Sequence, residues 1–132
     1  MSDYTIVNLL ELEDSSQGNV PGIEGRFSRR HLHSRDLGVS HWRYAPGKRS
    51  AAAHSHREQE EAYVVIAGSG RVRLDDEVRD IRQWDVIRVA PEVVRAFESG
   101  SEGLELIAVG GPKPEGGDGV RSDSPWPGDD GA

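Results

Sequence analysis

The sequence contains no cysteine, and this absence narrows the chemistry that is available to the chain. A disulfide framework, a thiolate metal site and a cysteine nucleophile are all excluded. Any metal would therefore have to be held by histidine and carboxylate side chains. Helical periodicity is missing as well, because no segment repeats apolar residues at the spacing of a helical face.

The sequence also lacks an apolar run long enough to span a bilayer. Its first residues, "MSDYTIVNLLELED", lack the basic head and apolar core of a signal peptide. The formal net charge of −7 provides no long-range attraction for nucleic acid or for an anionic membrane. We therefore expect a soluble, cytoplasmic protein that has neither nucleic acid nor membrane as a partner. The 132 residues fit a single domain.

Short β-branched and aromatic segments are present instead, and the 16 glycines and 7 prolines mark many turns between them. "VSHWRYAPG" is typical of a strand and a turn, "AYVVIAGSG" of a strand that ends in a glycine turn, and "VIRVAPEVVRAFES" of a strand pair hinged at Pro91. Roughly eight short strands at this spacing predict an all-β fold, either a small barrel or a double-sheet jelly roll.

The composition divides the chain into three parts. We predict an N-terminal strand and loop extension over residues 1–36, a barrel over residues 37–110, and a Gly/Pro-rich acidic tail over residues 111–132. Within the extension, "YTIVNLLEL" is strand-like or mixed. The tail composition predicts neither a strand nor a helix and is typical of disorder. Alternatively, Trp126 anchors the tail to the barrel or to a neighbouring subunit.

The strongest chemical pattern is "HSHREQEEAYVVIAGSG", in which His54 and His56 lie two residues apart. On a strand, such residues project from the same face. Neutral imidazoles bind Zn, Fe, Ni, Cu or Mn, and a carboxylate nearby would complete the set of ligands. The acids that follow are Glu58, Glu60 and Glu61, and strand parity alone leaves the choice between the last two open. The alternative is a hydrated, exposed turn without a metal.

The stretch "PGKRSAAAHSHREQEEAYVVIAGSGRV" resembles the first conserved motif of the cupin superfamily, in which a glycine precedes H-x-H, a Glu and a second glycine. Six residues (62–67) lie between Glu61 and Gly68, as in the motif, which places Glu61 at its ligand position. The resemblance covers about residues 39–109. It implies a small single-domain cupin with a jelly-roll fold and a divalent metal (Fe, Mn, Zn or Ni) held by His54, His56 and Glu61.

"WDVIRVAPEVVRAF" is similar to the second cupin motif, where a histidine usually supplies a fourth ligand. The alignment places Arg95 at that position, and arginine stays protonated and does not bind metals. The resemblance then implies three protein ligands, with water or substrate at the remaining positions. Arg95 would be a cation inside the barrel that binds a carboxylate or phosphate group. Alternatively, Arg95 points outward or forms a structural ion pair with Glu61 or Glu92.

Two further residues complete the predicted substrate-binding set with Arg95. Tyr63 shares a strand face with Glu61, so it lines the pocket or packs in the core. His41 precedes the Pro46-Gly47 turn and either points into the barrel as a base beside the metal or is an ordinary surface or core histidine. No catalytic residue is assigned.

A second H-x-H, His31 and His33, lies in "RRHLHSRD". The arginines around it repel a divalent ion, and no strand with following acids comes after it. We therefore predict that these are surface histidines.

The resemblance implies a small-molecule ligand and two hypotheses for the function. One is a metal-dependent enzyme, of oxygenase or isomerase type, that acts on a small polar or anionic metabolite. The other is a non-catalytic small-molecule-binding cupin with a degenerate metal site, which the replacement by Arg95 favours. Small cupins pair through sheet edges, so we also expect a homodimer, with Trp42, Trp84 and Trp126 as spare aromatic side chains.

Overall fold

The computed structural model of the protein describes residues 2–16 and 20–129. Within these residues, helix is limited to a 3-10 turn at Leu9–Glu11 and to α1 at Arg29–Leu32. No helix within those residues is long and apolar enough to cross a membrane. The strands are, in chain order, β1 (Ile23–Phe27), β2 (Gly38–Tyr44), β3 (Ala53–His56), β4 (Glu61–Leu74), β5 (Glu77–Arg82), β6 (Val86–Val89), β7 (Arg95–Gly110) and β8 (Gly119–Ser122). The predicted all-β class is confirmed.

The strand β7 is at the centre of a curled antiparallel sheet. Hydrogen-bonded neighbours follow the order β1-β2-β7-β3-β8, and β4 pairs with β5, β6 and β7. The C-terminal half of β7 lies between β2 and the first half of β4, while its N-terminal half pairs with the second half of β4. The sheet therefore closes on itself as a jelly roll, which confirms the predicted architecture.

The interior of the jelly roll is filled by alternate residues of its strands. On β4, Tyr63 and Val65 are buried, whereas Val64 and Ile66 are only half-buried, so the face shared by Glu61 is the inner one. Burying one such large apolar side chain contributes roughly 1.5–3 kcal/mol. The main cluster of buried residues is Ile23, Tyr44, Tyr63, Val65, Val72, Ile81, Val89, Phe97, Leu104, Leu106 and Ala108.

Gly68 bends β4 where the sequence predicts that the strand ends. Its φ is +74°, in the left-handed region that side chains rarely adopt, and a Cβ there would collide with the carbonyl oxygen of Gly103. The register between β4 and β7 shifts at this place. The predicted glycine turn is thus a bulge within one continuous strand, because a bulge turns the chain without breaking the ladder.

The N-terminal extension differs from the prediction in one detail. Residues 4–12 contain no strand, and the 3-10 turn there begins after Asn8, whose side chain accepts a hydrogen bond from the Leu10 amide at 3.0 Å. The strand of the extension is β1, which pairs with β2. The division of the chain at residues 36 and 110 stays a prediction.

The prediction that the tail forms neither strand nor helix is wrong for residues 119–122, which form β8 along β3. An unpaired edge of a sheet offers hydrogen-bonding groups to any extended segment, so pairing can outweigh a weak strand propensity. Trp126 is only 8% exposed and packs on Ala53 and Ala96 of the same chain. Residues 130–132 lie outside the described residues.

Candidate metal centre

Three side chains meet where β3 passes the start of β4. His54 and His56 alternate along β3 and Glu61 begins β4, so all three point to one place. Their donor atoms lie within 4.8 Å of one another. They line a cavity of about 1150 Å³ that also contacts apolar side chains of the core. Among residues 2–16 and 20–129, no other group of His, Asp or Glu side chains has this geometry.

The two ring nitrogens of His56 have different surroundings. Its Nδ1 lies 2.9 Å from Oδ1 of Asp118, while its Nε2 lies 3.1 Å from Oε1 of Glu61. The approach to Glu61 lacks hydrogen-bond geometry, so the buried Nε2 has no hydrogen-bond partner in the part of the chain that the structure describes. The Glu61 carboxylate raises the pKa of His56 against the effect of burial, and Asp118 raises it further. A buried imidazole nitrogen without a partner, directed at a second imidazole and a carboxylate, fits a metal ligand.

His54 is the more accessible of the two histidines. Its Nε2 lies 3.8 Å from Oε1 of Glu61, and its side chain is 43% exposed. The two imidazole rings are nearly perpendicular, with centroids 5.1 Å apart. His54 therefore belongs to the rim of the site and His56 to its interior.

Glu61 is held as a carboxylate by its neighbours. Burial alone would raise its pKa, but the nearby imidazoles of His54 and His56 and the hydrogen bond from Tyr63 hold that pKa well below the usual range. The Tyr63 hydroxyl donates to Oε1 of Glu61 at 2.6 Å. Burial raises the pKa of Tyr63 well above its usual value, so the phenol stays protonated and remains a donor. Tyr63 also lines the cavity, where the sequence suggested it.

Arg95 lies beside Glu61 but behind the wall of the cavity. Its side chain is fully buried, with Nε 4.0 Å from Oε1 of Glu61. The guanidinium donates to the carbonyl oxygens of Ala90, at 3.1 Å, and Pro91, at 3.4 Å. Arg95 is not among the residues that line the cavity. Arg95 therefore has the position expected for the alternative, a structural ion pair with Glu61. From there its side chain makes no contact with a ligand in the cavity.

His41 faces away from the cavity. On β2, Trp42 and Tyr44 line the cavity, and alternate residues of a strand point to opposite faces. His41 is only 4% exposed and its Nε2 lies 3.6 Å from Oε2 of Glu105. The structure therefore does not bring His41 to the candidate ligands, and a role beside a metal has no geometric support.

The second H-x-H lies at another part of the same cavity. His31 is in α1 and His33 ends it, and both are exposed, as predicted. Together with Arg30 and Lys113, which are exposed too, they line the cavity at its opening. No pattern in the sequence groups Lys113 with this turn, because the two are brought together only by the fold.

A family model described as "Cupin domain" matches residues 40–110, which is more than half of the chain. The chain belongs to the cupin family. The matched part of this cupin contains all three candidate ligands, whereas Asp118 lies beyond it.

Solved structures show the same fold. A cupin protein from Bacteroides fragilis has a TM-score of 0.70 at 19% identity, over 87% of this cupin and 89% of that chain. KdgF from Halomonas sp. has a TM-score of 0.62 at 17% identity, over 87% and 90%. Oxalate decarboxylase from Bacillus subtilis has a TM-score of 0.72 at 22% identity, over 89% of this cupin but only 32% of that chain. No curated protein matches the sequence. At these identities, the likeness establishes the fold.

Proposed function

We propose that this cupin is a metal-dependent enzyme of oxygenase or isomerase type, and that it acts on a small anionic metabolite in its cavity. His54, His56 and Glu61 would hold the divalent metal. Iron, manganese, zinc and nickel all suit two imidazoles and a carboxylate. A bound metal would act as a Lewis acid and would leave coordination positions open to the substrate.

The proposal rests chiefly on the buried Nε2 of His56. A buried polar atom without a hydrogen bond is costly, by about 1–3 kcal/mol. Here the atom points towards His54 and Oε1 of Glu61, and its position is set from the other side of the ring by Asp118. A divalent cation between the three donors would satisfy this atom.

The other side chains of the site have supporting roles. Tyr63 orients the Glu61 carboxylate through its hydroxyl and closes the inner wall of the cavity. Apolar residues around the site, including Phe97 and Leu106, keep competing water away from a bound ligand.

The charge at the opening of the cavity determines the substrate class that we propose. Two cations, Arg30 and Lys113, line the opening beside His31 and His33, and within the described residues neither of them forms an ion pair. The chain as a whole has a net charge of −7, so this opening differs in sign from the rest of the molecule. A cavity lined by one sign of charge attracts ligands of the opposite sign. Small carboxylates and phosphates are therefore the first candidates.

A specific contact favours the alternative function, a non-catalytic small-molecule-binding cupin. The buried guanidinium of Arg95 lies 4.0 Å from Glu61 and competes with a metal for that carboxylate. In this alternative, the cavity binds the same anions, but without a metal.

One experiment separates the two functions. The metal content of the purified protein is measured first, and thermal-shift screening with formate, oxalate and inorganic phosphate is then carried out on the metal-loaded and metal-free forms. The enzyme proposal predicts stoichiometric binding of a first-row metal and a ligand-induced shift that needs the metal. Equal shifts without metal would support the binding protein instead, and a protein that binds no divalent metal would contradict the proposed function.

Dimerisation remains a proposal, and so does a cytoplasmic location. Two of the three aromatic side chains invoked for a dimer are used within the chain: Trp42 packs against Phe27, and Trp126 is buried. Trp84 is 69% exposed at the turn between β5 and β6 and remains available for a partner. Light scattering of the unaltered protein and of Trp84→Ser would test this proposal, since a homodimer through this turn should dissociate in the variant.

A further inference from the structure

The strand that carries both histidines is held mainly by the C-terminal segment, residues 111–129. β3 has one register pair with β7, at His54 and Arg95. It has four register pairs with β8, from Ala53 to His56. The position of the candidate ligands therefore depends on a segment that lies beyond the part of the chain matched by the family model.

Asp118 joins this segment directly to the site. Its side chain is only 1% exposed, and Oδ1 lies 2.9 Å from Nδ1 of His56. Oδ2 accepts two backbone hydrogen bonds, from the amides of Glu58 and Gln59, each at 2.8 Å. An oxygen that accepts from two backbone amides, beside an imidazole nitrogen, is in the environment of a carboxylate. As a carboxylate it can only accept, and a neutral His56 must then carry its proton on Nδ1.

The rest of the segment is anchored at two more places. Arg73, which is buried, donates to the carbonyl oxygen of Ser124 at 2.8 Å and to its hydroxyl at 2.7 Å. The Trp126 ring packs beneath the guanidinium of Arg49, 4.5 Å from the ring centroid. These contacts hold β8, and with it Asp118, against the barrel.

We propose that Asp118 is a positioning residue for the metal centre, which keeps the proton of His56 on Nδ1 and so presents Nε2 to the metal. The proposal rests on the proposed function in that it takes His56 as a ligand. Carboxylates that hold the second nitrogen of a ligating histidine fix its tautomer and orientation, and their loss typically weakens metal affinity by about 10- to 100-fold. Metal binding and docking of the C-terminal segment are consequently coupled.

Asp118→Asn is the most informative variant, because it keeps the size of the side chain and reverses one hydrogen bond. The amide oxygen can still accept from Glu58 and Gln59, while the amide nitrogen then faces Nδ1 of His56 as a donor. This arrangement favours the tautomer with the proton on Nε2, which cannot bind a metal. Titration calorimetry with Zn²⁺ should show an affinity about 10- to 100-fold lower than that of the unaltered protein.

The matched control is Asp123→Asn. It removes a carboxylate from the same segment, but the side chain is 81% exposed and, among the described residues, pairs only with Arg121. Its Zn²⁺ affinity should equal that of the unaltered protein. Equal Zn²⁺ affinities in the Asp118→Asn variant and the unaltered protein would overturn the proposal.

The tautomer itself provides a readout that a merely structural role would not change. Nitrogen NMR of the metal-free, unaltered protein, at a pH where the imidazole is neutral, should show the His56 proton on Nδ1. It should show the proton on Nε2 in Asp118→Asn. Finding the Nε2 proton in the unaltered protein would refute the role of Asp118 even if the variant failed to fold. The NMR result does not depend on a bound metal. It therefore tests the role of Asp118 separately from the proposed function, which fails if the protein binds no divalent metal.

Coupling to the segment can be measured by proteolysis. Trypsin cuts after Arg121, a residue that is paired with His54 between β8 and β3. Zn²⁺ should slow this cut in the unaltered protein and have much less effect in Asp118→Asn. Equal protection in both proteins would show that the metal does not act through Asp118.

Discussion

The two H-x-H motifs of this chain have the same spacing and opposite consequences. His54 and His56 are on a strand, where residues two apart share a face, and their rings lie 5.1 Å apart, beside Glu61. His31 and His33 are on one helical turn, where two residues span more than half a turn, and His33 has a φ of +56° that redirects the backbone. The same H-x-H motif thus forms a candidate metal site on the strand and part of a cavity opening on the helical turn. A spacing has chemical meaning only together with the backbone conformation that it occupies.

The largest expected effect separates the two motifs directly. His56→Ala should lower Zn²⁺ affinity by more than about 100-fold, since losing a ligand should exceed the loss of a residue that only orients one. His31→Ala should leave the affinity unchanged. Titration calorimetry of the two variants, compared with the unaltered protein, measures this difference.

The comparison would fail in one specific way. If His31→Ala weakened Zn²⁺ binding and His56→Ala did not, the metal would be held at the opening of the cavity and the strand motif would be structural. Thermal unfolding of both metal-free variants serves as the control, because it shows whether either substitution changes the fold.

Both H-x-H motifs have arginine neighbours. Replacing Arg95 measures how such a neighbour affects stability and metal affinity. Arg95→Met removes a buried cation 4.0 Å from Glu61 and leaves two carbonyl oxygens without its hydrogen bonds. We expect the free energy of unfolding to fall by about 2 kcal/mol. Zn²⁺ affinity should rise, because the carboxylate is no longer shared with the guanidinium.

Denaturant unfolding and calorimetry would measure the two quantities on the same preparations. Arg79→Met is the matched control, since Arg79 is exposed and, in the part of the chain that the structure describes, pairs only with Glu77. A loss of Zn²⁺ affinity in Arg95→Met, with the fold intact, would show that Arg95 supports the site instead of competing with the metal.

The cations at the cavity opening should affect the affinity for anions but not the affinity for the metal. Replacing Arg30 and Lys113 together by alanine removes two cations that line the opening. Contacts of exposed charges contribute about 0.2–1 kcal/mol each, so the affinity for a small carboxylate should fall by about two- to 20-fold. Calorimetry with oxalate at low and high salt would show the loss, and salt should reduce it. Unchanged oxalate affinity would place the anion elsewhere.

The smallest expected effect concerns pH and the support of the strand motif. Glu98 is partly buried, which raises its pKa, but hydrogen bonds from Arg71 and Arg49 lower it overall. A carboxyl group with a lowered folded pKa contributes stability above its unfolded pKa, and this contribution is lost as the pH falls through the folded value. Both arginines face Trp126, so the docking of the C-terminal segment should weaken at acid pH.

Thermal unfolding of the unaltered protein and of Glu98→Gln tests this effect. The unaltered protein should be more stable near neutral pH, by about 0.5–1 kcal/mol. The difference should shrink as the pH falls below the ordinary value of 4.5 for glutamate. A difference that grows with acid would have the wrong sign and would contradict the assignment to Glu98.

The all-β class and the shared face of His54 and His56 could be predicted because their signals, strand alternation and turn residues, are local. The jelly roll of a cupin and the choice of Glu61 over Glu60 depended instead on the resemblance to the family motif. The glycine at position 68 indicates where the chain bends, with a φ of +74°, but the continuation of β4 through a bulge was not predicted.

The remaining features depend on contacts between distant parts of the chain. Asp118 is 62 residues from His56 in sequence, and nothing in "EGGDGV" indicates a partner. The alignment places Arg95 at the fourth ligand position of the cupin motif. The direction of its side chain, however, depends on its hydrogen bonds to the carbonyl oxygens of Ala90 and Pro91. The strand β8 owes its conformation to the open edge of β3 and not to its own residues.

The pairing of β3 with β8 also has a consequence for biosynthesis. A ribosome makes β3 well before β8, so until residue 122 has emerged the ligand strand has a single register pair in the sheet, at His54. The barrel can therefore assemble first, and the geometry of the two histidines is completed only when the last strand closes over them.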